Sequence, residues 1–295
     1  MARDVAVILN AEAGSASQVV TVEKIVDAFA SFHRTAEVRV MPGGAVARAA
    51  RAAIDEGYAV VAAAGGDGTI GTVASALAAS ATPLGVLPLG TRNHFAKDLG
   101  VPLDLEKAVA AIVTGRVARV DVGEVNGRMF INNSSVGLYP TLVVERERHR
   151  RPKRPKWLAL GFAIPRVLSR YRWLSVRVDA GGMRRHDRTP FVFIGNNQYK
   201  LEGLNIGARA RLDSGCLQVC VAPDLRRSDL LRAIGAALVG RLSRSGAVEM
   251  FLTSGCVIEA SRRELLVTFD GEVARLTTPL VYRAHPRALS VIVPH

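Results

Sequence analysis

Gly65-Gly66-Asp67-Gly68-Thr69 sets three glycines and one carboxylate where an apolar run, Val60 to Ala64, gives way to residues spaced for a helix: Ile70, Val73, Ala74, Leu77 and Ala78. Glycine reaches positive φ and has no Cβ, so a ligand can approach the backbone closely. A helix that starts there presents unpaired N–H groups, the ordinary seat of a phosphate. Such turns also serve plain packing, and the aspartate tilts the reading. A carboxylate beside a phosphate repels it unless a metal ion lies between them or a proton is to be removed, so Asp67 points to Mg²⁺-nucleotide chemistry. The alternative is an aspartate that caps a helix or turn.

The elements that must position this loop alternate along the first part of the chain. Val5 to Leu9 reads as a buried strand ending at Asn10, followed by a helix from about 18 to 33, a strand at 36–40 and an alanine-rich helix at 45–56. The strand at 60–64 and the glycine turn come next. Leu84 to Leu87 and the turn Gly90-Thr91-Arg92-Asn93 repeat the arrangement, and Asp104 caps a helix at 105–114. Strand, helix and strand with short connections form a parallel sheet covered by helices, and ligands bind beyond the carboxyl ends of its strands. Gly65–Thr69 and Gly90–Asn93 should therefore line one crevice.

Beyond Val117 short alternating runs take over, among them 118–122, 129–133, 174–178, 191–194, 217–221, 256–260 and 265–269, broken by Asn126-Gly127, Gly181-Gly182 and Asp270-Gly271. This is the grammar of an antiparallel sandwich. The expected plan is an α/β nucleotide-binding domain with a mainly parallel sheet over 1–120, rejoined by 284–295, and a mainly antiparallel β-sandwich domain over 121–283. Asp270-Gly271 between apolar runs is also the pattern of an ordinary two-residue hairpin.

With 295 residues, 49% of them apolar, the chain can bury two cores. No apolar run approaches the ~20 residues of a membrane-spanning helix, and the first residues lead straight into a strand, so neither a signal nor a transit peptide is expected. Cys216, Cys220 and Cys256 sit in apolar runs and have no zinc spacing. A formal charge of +13 draws the chain to something anionic. Aromatic residues are only 5% and do not interleave with basic ones, which argues against nucleic acid.

Taken together, Gly65-Gly66-Asp67-Gly68-Thr69, the segment Pro88-Leu89-Gly90-Thr91-Arg92-Asn93-His94-Phe95-Ala96, the turns Leu9–Gly14 and Leu212–Gly215, and Asp270-Gly271-Glu272 resemble the diacylglycerol-kinase-type lipid kinase family. The resemblance implies that Asn10, Gly65, Gly66, Gly68, Thr69, Thr91, Asn93 and Glu272 bind ATP. It implies that Asp270 takes a proton from a lipid hydroxyl, with Asp67 beside the reacting groups. A structural Mg²⁺ belongs at the 212–215 turn in that family. Ser214 replaces its second acidic position, so either Asp213 substitutes as the metal ligand or the ion is absent. Gly71 and His94 stand where the family has Asn and Asp.

Arg146, Arg148, Arg150, Arg151, Lys153, Arg154 and Lys156 precede the apolar stretch Trp157–Pro165. A basic residue at an anionic bilayer contributes about 1 kcal/mol, and a solvated loop is the plainer reading of such a run. The expectation is an ATP- and Mg²⁺-dependent kinase of a neutral lipid, foremost diacylglycerol. It would be cytoplasmic and peripheral on the inner membrane face. No nucleic acid or other protein partner is expected, and a homodimer is compatible with the sequence. Two alternatives stand beside it: an enzyme like NAD kinase, and a peripheral membrane nucleotide-binding protein without catalysis.

Overall fold

The computed structural model describes residues 3–11, 18–148, 173–200, 207–221 and 249–295. The first strands and helices alternate as their apolar periods require: β1 (Arg3–Asn10), α1 (Gln18–Ala30), β2 (Ala36–Met41), α2 (Val46–Asp55), β3 (Tyr58–Gly65), α3 (Asp67–Leu77) and β4 (Leu84–Pro88). These strands pair in parallel in the order β2-β1-β3-β4. Helix α4 (His94–Asp98) and helix α5 (Leu105–Thr114) follow, and Asp104 caps α5 by accepting from Lys107 N at 3.1 Å. Residues Val61 to Ala64 are wholly buried. A strand covered by helices on both faces must be apolar on both. Helix α1 packs beside α5, and α2 beside α3.

The remaining described strands are β5 (Arg116–Val125), β6 (Arg128–Phe130), β7 (Asn133–Gly137), β8 (Leu174–Ala180), β9 (Met183–Thr189), β10 (Phe191–Asn196), β11 (Leu217–Val221), β12 (Glu249–Thr253), β13 (Gly255–Ala260), β14 (Glu264–Phe269), β15 (Glu272–Thr277) and β16 (Leu280–Val293), with helix α6 (Leu138–Arg148) after β7. Strands β12-β11-β10-β7-β14-β15 form an antiparallel sheet. Facing it is the antiparallel half of the first sheet, β16-β13-β8-β9, with β5 and β6 alongside. Val176, Val178, Ile258 and Tyr282 meet Val136, Val192, Ile194 and Val267 in the core between them.

The first sheet thus runs on from the helix-covered layer into the sandwich. Strand β16 makes the passage. Its Val291 pairs in parallel with Leu84 of β4, whereas Leu280 to Arg283 pair antiparallel with β13, and β5 accompanies it across both stretches. A register shift between His285 and Leu289 bends the ribbon where it crosses.

Two details depart from the sequence reading, and a third lies where the structure gives no description. The run 129–133 is two strands, because Ile131 and Asn132 leave the ladder between β6 and β7. Cys220 and Cys256 are buried and burial pushes both thiols up to about 12, but Cys216 is only partly buried, its Sγ 3.1 Å from Ser214 Oγ. The basic and apolar segment at 146–166 falls outside the described residues apart from the backbone of 146–148, which ends α6. No helix among the described residues is long and apolar enough to cross a membrane.

Phe130 anchors the corner from which Ile131 and Asn132 depart. It is fully buried, meets Tyr282 edge to face at 6.3 Å, and lies so close over Gly123 that a Cβ there would be 2.3 Å from the ring. Phe130→Ala should cost about 3–5 kcal/mol, read as a lower urea midpoint with an unchanged slope. An unshifted midpoint would place the ring outside the packed core.

Candidate active site

Strand β3 ends at Gly65, Gly66 is extended (φ −87°, ψ −178°), and α3 begins at Asp67, so Gly68 and Thr69 belong to the helix's first turn. Gly65 is sterically required: a Cβ would lie 2.7 Å from Thr69 Oγ1. That hydroxyl accepts from Asn10 Nδ2 at 3.0 Å, which fixes the end of β1 to the loop. A Cβ on Gly68 would meet nothing within 4 Å, so the helix start is open above this residue.

The second glycine turn touches the first. Leu89 N donates to Gly65 O at 3.0 Å, and a Cβ on Gly90 would sit 2.5 Å from Gly66 Cα. Asn93, at φ +51°, uses its amide on its own turn, accepting from Gly90 N at 3.1 Å and donating to Gly90 O at 2.8 Å. Thr91 is exposed on that turn. Asp67 Oδ1 accepts from Phe95 N at 3.3 Å, so this carboxylate ties the first turn of α4 to the start of α3.

Asp270 arrives from the sandwich. Phe269 pairs with Glu272, and Asp270 and Gly271 form the two-residue hairpin between β14 and β15 with φ of +49° and +91°. A loop that needs positive φ at both positions suits Asp-Gly. The side chain turns into the gap where β6 gives way to β7. Its Oδ2 accepts from Ile131 N at 2.7 Å, and its Oδ1 from Asn132 N at 2.7 Å and Asn133 N at 3.3 Å. Burial pushes the carboxyl up to about 6, against the opposing pull of these N–H groups and of the Arg209 guanidinium.

The other side of Asp270 faces α3. A Cβ on Gly71 would lie 2.9 Å from Asp270 Oδ2, so the absence of a side chain at 71 lets the carboxylate rest on the helix that opens with the glycine loop. Thr72 Oγ1 donates to Glu272 Oε1 at 3.1 Å, drawing the second acid to the same helix. Gly68, Gly71, Thr72, Asp270 and Glu272 line one cleft of about 230 Å³ between the layers, with Arg51 of α2 and Arg128, the first residue of β6, on its walls. The Arg128 guanidinium stands 5.5 Å above the Phe269 ring.

Asp213 does not line this cleft. Its carboxylate pairs with Arg211 at 3.0 Å, and that hydrogen-bonded guanidinium holds its pKa below the ordinary range. Ser214 N and Oγ both donate to Asn197 Oδ1, and no group of three or more His, Cys, Asp or Glu among the described residues is placed to hold a metal ion. A carboxylate already paired with a guanidinium does not make a divalent-cation seat on its own. Asp67, the first residue of α3, does not line the cleft either.

Sequence reasoning missed the N–H groups of 131–133, Gly71 as a contact of Asp270, and the cleft arginines. The break at Ile131-Asn132 had a usable sign in the consecutive asparagines Asn132-Asn133, which are poor strand formers.

Comparison with known proteins agrees with this architecture. Residues 4–125 match the family model described as diacylglycerol kinase catalytic domain, and 140–293 match the YegS C-terminal NAD kinase beta sandwich-like domain. The chain is 31% identical over 261 residues to a Pseudomonas aeruginosa protein named probable lipid kinase YegS-like, covering 85% of this chain and 82% of that one. It is 26% identical over 229 residues to a diacylglycerol kinase of Staphylococcus aureus, covering 76% and 71% of the two chains. In three dimensions it is similar to a diacylglycerol kinase of Bacillus anthracis, with a TM-score of 0.72, 21% identity, and 99% and 97% of the two chains covered. The chain belongs to the family of lipid kinases that contains the diacylglycerol kinases and the YegS proteins.

Proposed function

We propose that this kinase transfers the γ-phosphoryl group of ATP to the hydroxyl of a neutral lipid, with diacylglycerol as acceptor and phosphatidic acid as product. The observation that carries the reading is the seating of Asp270 against α3, in the same cleft as Gly68. Phosphoryl transfer asks for positioning and charge neutralisation more than for covalent chemistry. Backbone N–H groups at the start of α3 hold the phosphates, and Arg51 and Arg128 add positive charge. Asp67 would hold the Mg²⁺ that accompanies the nucleotide, and that ion would supply neutralisation of the phosphate charge.

Asp270 acts on the acceptor. Both lone pairs of its Oδ1 are engaged by Asn132 and Asn133, whereas Oδ2 receives Ile131 alone and has a second lone pair for the acceptor. The lipid hydroxyl gives its proton to Oδ2 as its oxygen bonds to the γ-phosphorus. The bond from that phosphorus to the β,γ-bridging oxygen breaks, and ADP leaves with the electron pair. A base whose pKa lies near the working pH serves this step well. The basic segment at 146–156 would bring the kinase to an anionic bilayer surface where the acceptor resides.

Three outcomes test the proposal. Protein given γ-labelled ATP, Mg²⁺ and anionic vesicles should label diacylglycerol in preference to sphingoid bases and should leave NAD unlabelled; labelled NAD in place of lipid would move the chain to the other kinase class. The kcat profile, taken from about pH 5 to about pH 8 at saturating substrates, should fall with unit slope below about 6 as Asp270 takes up its proton. A profile flat through that range would remove Asp270 as the base. Gly71→Ala inserts a methyl 2.9 Å from Asp270 Oδ2 and should lower kcat by roughly 10- to 100-fold while the protein stays folded. Native kcat in that variant would show that contact with α3 does not place the carboxylate.

A further inference from the structure

Arg209 is the described guanidinium most thoroughly enclosed by the fold, its side chain wholly buried against an Asp98 side chain that is 7% exposed. Removing an ion pair from water costs several kcal/mol per ion, and an apolar pair of equal size is often as stable. This pair therefore calls for a use other than stability.

Its hydrogen bonds show where it acts. Nε donates to Asp98 Oδ2 at 2.8 Å, Nη1 to Ile131 O at 2.6 Å and Nη2 to Asn132 Oδ1 at 2.8 Å, with the rings of Phe95 and Tyr199 at 5.9 and 5.3 Å. Ile131 O and Asn132 N belong to one peptide group, and that N–H is a 2.7 Å donor to Asp270. The guanidinium pulls on one end of this peptide while the carboxylate accepts from the other. Hydrogen bonds chained in this way strengthen one another. Asp98 ends α4, whose first turn is held by Asp67. The contacts run without a gap from the glycine loop to Asp270.

We propose that Arg209, anchored by Asp98, is a positioning residue: it fixes the 131–132 peptide and so holds the Asp270 carboxylate in register with the nucleotide loop. This rests on Asp270 being the base. Planar, forked donors are what the geometry requires, and lysine has a point charge without the fork.

The test compares Arg209→Lys, Arg209→Gln and Asp270→Asn by melting temperature, steady-state kinetics and the pH profile of kcat. A folded Arg209→Lys should lose roughly 10- to 100-fold in kcat with its KM for ATP changed by less than about threefold. Arg209→Gln should lose at least as much, with the acid limb moved to higher pH because the nearby positive charge is gone. Native kcat in folded Arg209→Lys, a loss confined to KM, an unmoved acid limb in folded Arg209→Gln, or unfolding of Arg209→Lys would each overturn the proposal, the last by making the residue structural. Where only Arg209→Gln unfolds, Arg209→Lys decides. Activity retained in Asp270→Asn would instead overturn the base itself, so the two failures are distinct.

Discussion

A carboxylate held by three consecutive backbone N–H groups is the interaction on which the site depends. Residues 131–133 can point their N–H groups at Asp270 only because the chain leaves the ladder between β6 and β7. The same contact serves two opposed ends. The N–H groups favour the charged form, burial favours the neutral one, and burial prevails, leaving the carboxyl near 6. An acid so balanced is ionised in neutral solution, as the proposed proton transfer requires.

Placing that acid over the glycine loop is a problem of long-range architecture. Residues 68 and 270 come to line one cleft because β5 and β16 run through both layers and the register shift after His285 turns the ribbon between them. The final approach is set by what is missing: Gly71 has no side chain to keep Asp270 off α3, and Gly90 has none to keep its turn off the Gly66 backbone. Each of these contacts would be lost to one added methyl group.

Much of this was legible in the residues. Apolar periods located the helices and strands of the first layer to within a few residues, and the switch to alternating runs announced the antiparallel sandwich. The glycine loop, its partner at Gly90–Asn93 and the two acids near the end were visible as motifs, and the structure brings them to one region. What the sequence concealed is pairing across distance. Arg209 and Asp98 are 111 positions apart, each beside apolar neighbours, and no local pattern distinguishes a buried pair from two surface charges. The uses of Asn93 and Asp213 were hidden for a related reason. A polar side chain can serve its own turn or a neighbouring arginine as readily as a ligand, and only coordinates tell which.

The most direct measurement is a crystal structure of the kinase with Mg²⁺ and a non-hydrolysable ATP analogue. The account expects the terminal phosphorus above the first turn of α3, with Asp270 Oδ2 within about 6 Å of it, leaving room for one hydroxyl oxygen between them. A terminal phosphate bound on the far side of the glycine loop, with Asp270 facing only protein, would contradict it.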